Sequence, residues 1–140
     1  MSLFKTNSPE ETIDLGRRIA QKLKGNEVIA YFGGLGMGKT TLTRGIVNAL
    51  GGDDVVSSPT FAIVNEYRAK YNIYHFDMYR VSGWDDLYST GFFDYLDTGV
   101  IIIEWSENIV EFLPEKRINV AIETVSDNER EIRIEGADRL

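Results

Sequence analysis

The residues most able to do chemistry stand together early in the chain. Gly33-Gly34-Leu35-Gly36-Met37-Gly38-Lys39-Thr40 follows the spacing G-x-x-x-x-G-K-[ST], and Thr41 comes next. A polyphosphate is densely charged, and bare backbone N–H groups are its best close-range donors. Glycines let the backbone curl around it without Cβ clashes. A helix beginning just after the loop aims its N-terminus at the anion. Lys39 adds a mobile point charge for the β- and γ-phosphates, and the Thr40 hydroxyl is a hard oxygen ligand suited to Mg²⁺. The pattern therefore predicts binding of ATP with Mg²⁺ through residues 33–41, with Lys39 also serving catalysis.

Such a loop needs carboxylates for the metal and its water, commonly at the end of an apolar strand. Two candidates have that form. Glu104 ends the run Val100, Ile101, Ile102, Ile103, and Asp77 ends Tyr74, His75, Phe76. Either acid could hold the metal directly while the other polarises water. Thr40, Glu104 and Asp77 are thus the expected metal-side residues, and Glu104 and Asp77 the expected catalytic acids. His75, the only histidine, is expected to be structural. Arg80 could reach a γ-phosphate or remain a solvated arginine. Trp105 could pack in the core, cover the site or meet a partner. Ser57-Ser58-Pro59-Thr60-Phe61 reads either as a phosphate-sensing, switch-like loop using Ser58 and Thr60, or as a plain loop.

These residues must be held by an alternation of helices and strands. Ser8 as N-cap, Pro9 at the first helical position and Glu11 as the capping-box acid predict a helix carrying Ile13, Leu15, Ile19 and Leu23 on one face, stopped by Gly25-Asn26. Val28 to Phe32 is a continuous apolar run, as in a strand buried on both faces. A second helix is expected from the glycine loop to about Leu50, with Leu42, Ile46 and Ala49 facing inward. Residues 61–67 and 71–76 read as a hairpin, 84–89 and 92–96 as short helical turns, and 100–103 as a buried strand. Ile118, Val120 and Ile122 alternate, as do Ile132 and Ile134, around the turn signal Ser126-Asp127-Asn128. The expected fold is a P-loop NTPase-like, three-layer α/β/α arrangement with a mixed central sheet and antiparallel terminal strands. A single domain is expected over residues 1–140.

Composition narrows the function further. A formal net charge of −7 argues against a whole-surface electrostatic grip on nucleic acid. With no cysteine, neither a disulfide nor a thiolate metal site is available. No apolar run approaches the ~20 residues of a membrane helix, and the first residues lack the apolar stretch of a secretory signal. A cytoplasmic protein with no membrane partner is expected.

The Asn-Lys-x-Asp pattern of guanine readers is absent, which leaves adenine as the expected base. Residues 81–99, where a small-molecule kinase would carry its basic lid, hold no lysine or arginine. A P-loop kinase is therefore the weaker alternative, and a nucleotide-gated interaction module without useful hydrolysis is another.

Four motifs in order now carry a specific resemblance. Gly36-Met37-Gly38-Lys39-Thr40-Thr41, Ser58-Pro59-Thr60-Phe61, His75-Phe76-Asp77-Met78-Tyr79-Arg80 and Ile103-Glu104-Trp105 resemble the TsaE family, the ATPases of bacterial tRNA threonylcarbamoyladenosine biosynthesis. The resemblance runs from the first helix to the closing strands. It implies a cytoplasmic ATPase, weak when alone, that works with TsaB and TsaD and meets tRNA only through them. By the same similarity, Thr40 and Glu104 are metal-side residues with Asp77 at the Mg²⁺ or its water. Thr60 lies in the switch-like loop, and Trp105 is functionally important. Met37 stands where many relatives carry alanine, at a variable position of the loop.

Overall fold

The computed structural model describes residues 2–33, 38–52, 56 and 63–137. Gly34, Leu35, Gly36, Met37, Ser58 and Thr60 lie outside the described residues, as does the predicted start of the hairpin at 61 and 62.

The continuous apolar runs occupy the middle of a seven-stranded sheet. Its order is β1 (Ser2–Thr6), β7 (Arg130–Glu135), β6 (Ile118–Thr124), β2 (Val28–Phe32), β5 (Val100–Glu104), β4 (Asn72–Asp77) and β3 (Val64–Arg68). β6, β2, β5 and β4 run parallel, while β3, β7 and β1 are antiparallel to their neighbours. The sheet is thus mixed, with antiparallel strands toward both margins. A strand covered on both faces must be apolar at every position, and β2 and β5 meet this by sending alternate residues to opposite sides. Ile29, Tyr31, Val100 and Ile102 enter one core, with α1 (Pro9–Ala20) and α2 (Gly38–Ala49). Val28, Ala30, Ile101 and Ile103 enter the other, beneath α3 (Gly83–Ser89) and α4 (Phe92–Tyr95). β6 buries Ile118, Val120 and Ile122 in the α1–α2 core but leaves Asn119 and Ala121 half-buried, so its second face is less covered.

The first helix starts as its capping residues dictate. Ser8 Oγ accepts from Glu11 N at 3.2 Å. The returning Glu11 carboxylate accepts from Asn7 N at 3.1 Å, one residue earlier than the usual capping-box donor. The helix ends at Ala20, short of the predicted Gly25 stop. Tighter turns, Lys22 N to Ile19 O and Leu23 N to Ala20 O, still deliver Leu23 into the core. In α2, Leu42 and Ile46 face inward as predicted, but Ala49 is exposed. The buried stripe instead takes Val47, and Leu50 just beyond the helix continues it.

Two glycines set how closely these helices lie. A Cβ on Gly16 would fall 2.4 Å from Leu42 O, and one on Gly45 would fall 2.2 Å from Ile13 O. Backbone therefore rests on backbone where α1 crosses the helix that follows the glycine loop.

One strand was not expected. β1 pairs with β7 from Ser2↔Ile134 to Thr6↔Arg130. Its pattern is weak, because Leu3 points to solvent and only Phe4 offers an apolar side chain to the core. The buried Thr6 hydroxyl meets Thr12 of α1 at 2.7 Å. Two short 3₁₀ turns, Ser106–Asn108 and Val110–Phe112, follow β5 and were also not foreseen. Among the described residues, no helix is long and apolar enough to cross a membrane.

Candidate active site

All four parallel strands end on one edge, and there the predicted residues gather. β2 leads into Gly33 and α2 begins at Gly38, so the glycine loop joins the central strand to a helix. Gly33 has φ +122°, and a Cβ there would lie 2.4 Å from Ile122 O of β6. No other residue fits that backbone and that spacing. The Gly33 carbonyl accepts from Lys39 Nζ at 2.8 Å, bringing the lysine back to the residue just after β2. Lys39 is only 4% exposed, so its charge is held inside the site.

The start of α2 is braced from beneath. Thr43 donates its single hydroxyl hydrogen to Lys39 O at 2.8 Å. Tyr31 Oη lies 2.8 Å from the same hydroxyl oxygen, so Tyr31 must be the donor of that pair. Burial pushes the Tyr31 phenol well above its ordinary value; the Thr43 bond opposes the shift and the charge of Glu104 adds to it. A neutral tyrosine donor is what the brace requires. The sequence reading had placed Tyr31 only in a strand and had not used Thr43. The available signals were strand alternation, which aims Tyr31 at α2, and the four-residue step from Lys39 to Thr43.

β4 and β5 bring the two acids level, with Asp77 opposite Glu104 in parallel register. Both are 7% exposed. Asp77 Oδ1 accepts from Tyr79 N at 2.9 Å, which fixes that carboxylate at the turn after β4. Glu104 Oε2 lies 2.6 Å from Nε2 of the buried His75. The contact is not aligned as a directed hydrogen bond, and both atoms are otherwise unpartnered among the described residues. His75 therefore backs the Glu104 carboxylate rather than standing alone in the core. Glu104, Asp77 and the half-buried Thr40 are oxygen donors of the kind Mg²⁺ takes. No group of three or more His, Cys, Asp or Glu forms a metal cage among the described residues.

Trp105 joins the site. Its ring lies 5.1 Å from Lys39 Nζ and 5.0 Å from the Tyr79 ring. Its backbone has φ +60°, an uncommon and costly conformation for an aromatic residue. The turn that follows adds two residues no motif announced. Glu107 accepts from Gly33 N at 3.3 Å, and Asn108 Nδ2 donates to Met78 O at 2.8 Å. Together they tie the end of β5 to the glycine loop and to the end of β4. Arg80 is exposed and, with Asp77, lines a small cavity of about 190 Å³. The described residues thus assemble Gly33, Gly38, Lys39, Thr40, Asp77, Glu104 and Trp105 along one edge.

A mixed α/β sheet with a strand–glycine loop–helix unit at its centre and level carboxylates beside it defines a P-loop NTPase-like protein. The crystal structure of Bacillus subtilis YdiB is similar to it, with a TM-score of 0.71 and 34% identity, covering 94% of this chain and 82% of that one. The model of the TsaE family, described as "Threonylcarbamoyl adenosine biosynthesis protein TsaE", matches residues 6–132, and this chain belongs to that family. Relatives named "tRNA threonylcarbamoyladenosine biosynthesis protein TsaE" include one from Aquifex aeolicus, 39% identical over 91% of this chain and 90% of its own length. Another, from Bacillus subtilis, is 38% identical over 92% of this chain and 82% of its own. One from Rickettsia conorii is 39% identical over 89% and 72%.

Proposed function

We propose that this protein binds ATP with Mg²⁺, hydrolyses it slowly when alone, and acts in the cytoplasm on a TsaB–TsaD complex that installs threonylcarbamoyl on tRNA adenosine. One observation carries the nucleotide reading. A buried lysine bonded back to Gly33, at the start of the helix that follows the central strand, shares an edge with two carboxylates that end neighbouring strands in register. Membership of the TsaE family supports the pathway.

In this reading the loop and Lys39 grip the β- and γ-phosphates. Thr40 and the two carboxylates would hold Mg²⁺, which when bound supplies charge neutralisation at the phosphates. Either acid would meet the ion directly while the other orients the attacking water; Glu104 Oε2 is packed against His75, and Asp77 Oδ1 is engaged by Tyr79 N. Trp105 covers the Lys39 side of the site. Arg80 stands beside Asp77, placed to meet the γ-phosphate or a partner. Ser58 and Thr60 would respond to the γ-phosphate, which would pass nucleotide state to the partner.

The test has two arms. Calorimetry should show ATP affinity falling by about 3 kcal/mol, near two orders of magnitude, in a folded Lys39→Ala protein, as expected for loss of a charged hydrogen bond to phosphate. Unchanged affinity would remove the nucleotide reading. Mixing the protein with purified TsaB and TsaD should give a complex that prefers ATP to ADP and turns over ATP faster. A complex indifferent to nucleotide, or none, would withdraw the partner assignment and leave an orphan ATPase.

A further inference from the structure

A cavity of about 460 Å³ lies at the opposite edge of the sheet, where β2 and β6 begin. Four stretches of chain enclose it: the link from α1 to β2, residues 96 and 97 before β5, residues 114–117 before β6, and residues 136 and 137 after β7. Val28 and Ile118, the first residues of their strands, line it with buried apolar surface, and Leu96 and Pro114 add half-buried apolar surface. Gly136 lets the chain leaving β7 close against this edge. Its φ is +89°, and a Cβ there would clash with the Arg117 carbonyl.

The charge of this cavity is opposite to that of the molecule. The chain carries a formal net charge of −7, yet Lys22, Lys24, Lys116 and Arg117 all line this one place. Among the described residues none of the four makes an ion pair. The Arg117 guanidinium is held in position, with Nε donating to Asn119 Oδ1 and Nη1 to Pro114 O, both at 2.9 Å. Two carboxylates share the lining. Glu27 is turned onto its own loop, where it accepts from Lys24 N at 2.7 Å, Gly25 N at 3.0 Å and Asn26 N at 3.1 Å. Asp97 is the other, so positive charge stays in excess. Like charges gathered around an apolar cavity repel one another in the free protein, and an anionic ligand relieves that repulsion.

We infer that this cavity docks a short acidic peptide segment of a partner protein. An apolar side chain of the segment sits among Val28, Leu96, Pro114 and Ile118, and its carboxylates meet the four cations. Two features favour a peptide over nucleic acid. No aromatic side chain lines the cavity, so bases have nothing to stack on. The overall negative charge repels a long polyanion, whereas a short segment meets only the local field, because more distant charges are screened. The cavity is at the far end of the strands from Lys39 and the strand-end acids, so the inference is independent of the nucleotide reading. Lysines that were merely solvated would show no preference among peptides.

The experiment pans a display library of short random peptides at low salt on the wild type and on the double variant Lys22→Glu/Lys116→Glu, both lysines being exposed. Thermal melting checks that the variant is folded. The wild type should enrich peptides that set Asp or Glu beside Leu, Ile or Phe. Fluorescence anisotropy with a selected peptide should show affinity at least about tenfold weaker in the charge-reversed variant. Replacing the peptide's acids by Asn and Gln, or its apolar residue by Ser, should weaken binding to the wild type in the same way. Lys22→Arg/Lys116→Arg should bind as the wild type does, and nucleotide affinity, read by calorimetry with ATP, should be equal in all three proteins. No enrichment of acidic peptides overturns the inference, as does equal binding by the wild type and the charge-reversed variant. Oligouridylate that displaces the selected peptide would assign the cavity to RNA and overturn it too. A wild-type dimer in sedimentation that the charge reversal abolishes would assign it to a second copy of this chain, with the same result.

Discussion

The two faces of the sheet are built from the same strands but do opposite work. Under α3 and α4 the filling is aromatic. Phe76 meets the Phe92 and Tyr95 rings edge-on at 5.4 Å each, and Tyr74 lies 4.6 Å from Tyr95. Toward α1 and α2 the core is aliphatic in its depth. Where the parallel strands end, it turns polar through Lys39, Thr43 and His75, with Glu104 and Asp77 at the strand ends. The first face gains stability from area and ring contacts. The second accepts a 2.6 Å imidazole–carboxylate contact without a directed bond. Such strain persists only where the surroundings over-determine it, and here the aromatic face supplies part of that rigidity.

This division can be broken or sharpened by substitutions on either side. Phe92→Ala should cost about 3–5 kcal/mol of unfolding free energy, as for large aromatic truncations in a core. Urea titration should show this, while the ATP affinity of the folded protein stays within about twofold. A matching loss of affinity would mean that the faces are not separable. Next in size, Glu104→Gln should slow ATP turnover by roughly 10²–10³, the usual scale for removing one group that stabilises the transition state. Its melting temperature should hold or rise, because a carboxylate kept in place for a ligand is unfavourable in its absence. Single-turnover kinetics and melting curves together check this, and a lower melting temperature would make Glu104 part of the scaffold. His75→Asn should lower turnover by a smaller factor, on the order of tenfold, because it acts only through Glu104. A turnover rate equal to the wild type would make His75 inert packing.

The smallest effect belongs to the brace under α2. Tyr31→Phe should cost about 1 kcal/mol, one buried hydrogen bond. It also alters the pH profile in a definite direction. The phenol's value is raised in the folded state, so above pH 10.0 the unfolded chain releases this proton first. The unfolded state then binds fewer protons, and stability falls as pH rises. The variant should lose part of that alkaline slope. Denaturant midpoints between about pH 9 and 11 give the measurement, and an unchanged slope would show that Tyr31 is not its source.

Much of this architecture was legible because each local signal agreed with the global one. The capping residues Ser8, Pro9 and Glu11 mark a real helix start, and the unbroken runs at 28–32 and 100–104 mark strands covered on both sides. The strand-end positions of Asp77 and Glu104 were legible too, but their register was not. That they stand level follows from β4–β5 pairing between distant segments, which no local pattern encodes. β1 escaped because only one of its residues offers apolar surface to the core and its stability comes from β7. The support beneath Glu104 escaped for a different reason. A solitary histidine on a strand reads as packing until the neighbouring strand shows what it touches. Glu107 and Asn108 lie in a 3₁₀ turn with no periodicity to flag them.

The crossing of α1 over α2 carries a last consequence, for how motion can pass through the molecule. Gly16 and Gly45 leave no side chain between the two backbones, with Cβ positions 2.4 and 2.2 Å from opposing carbonyl oxygens. Side-chain repacking is the usual lubricant that lets packed helices slide past one another, and at this crossing there is none to repack. The helix behind Lys39 is therefore clamped to its neighbour and behaves as a fixed anvil.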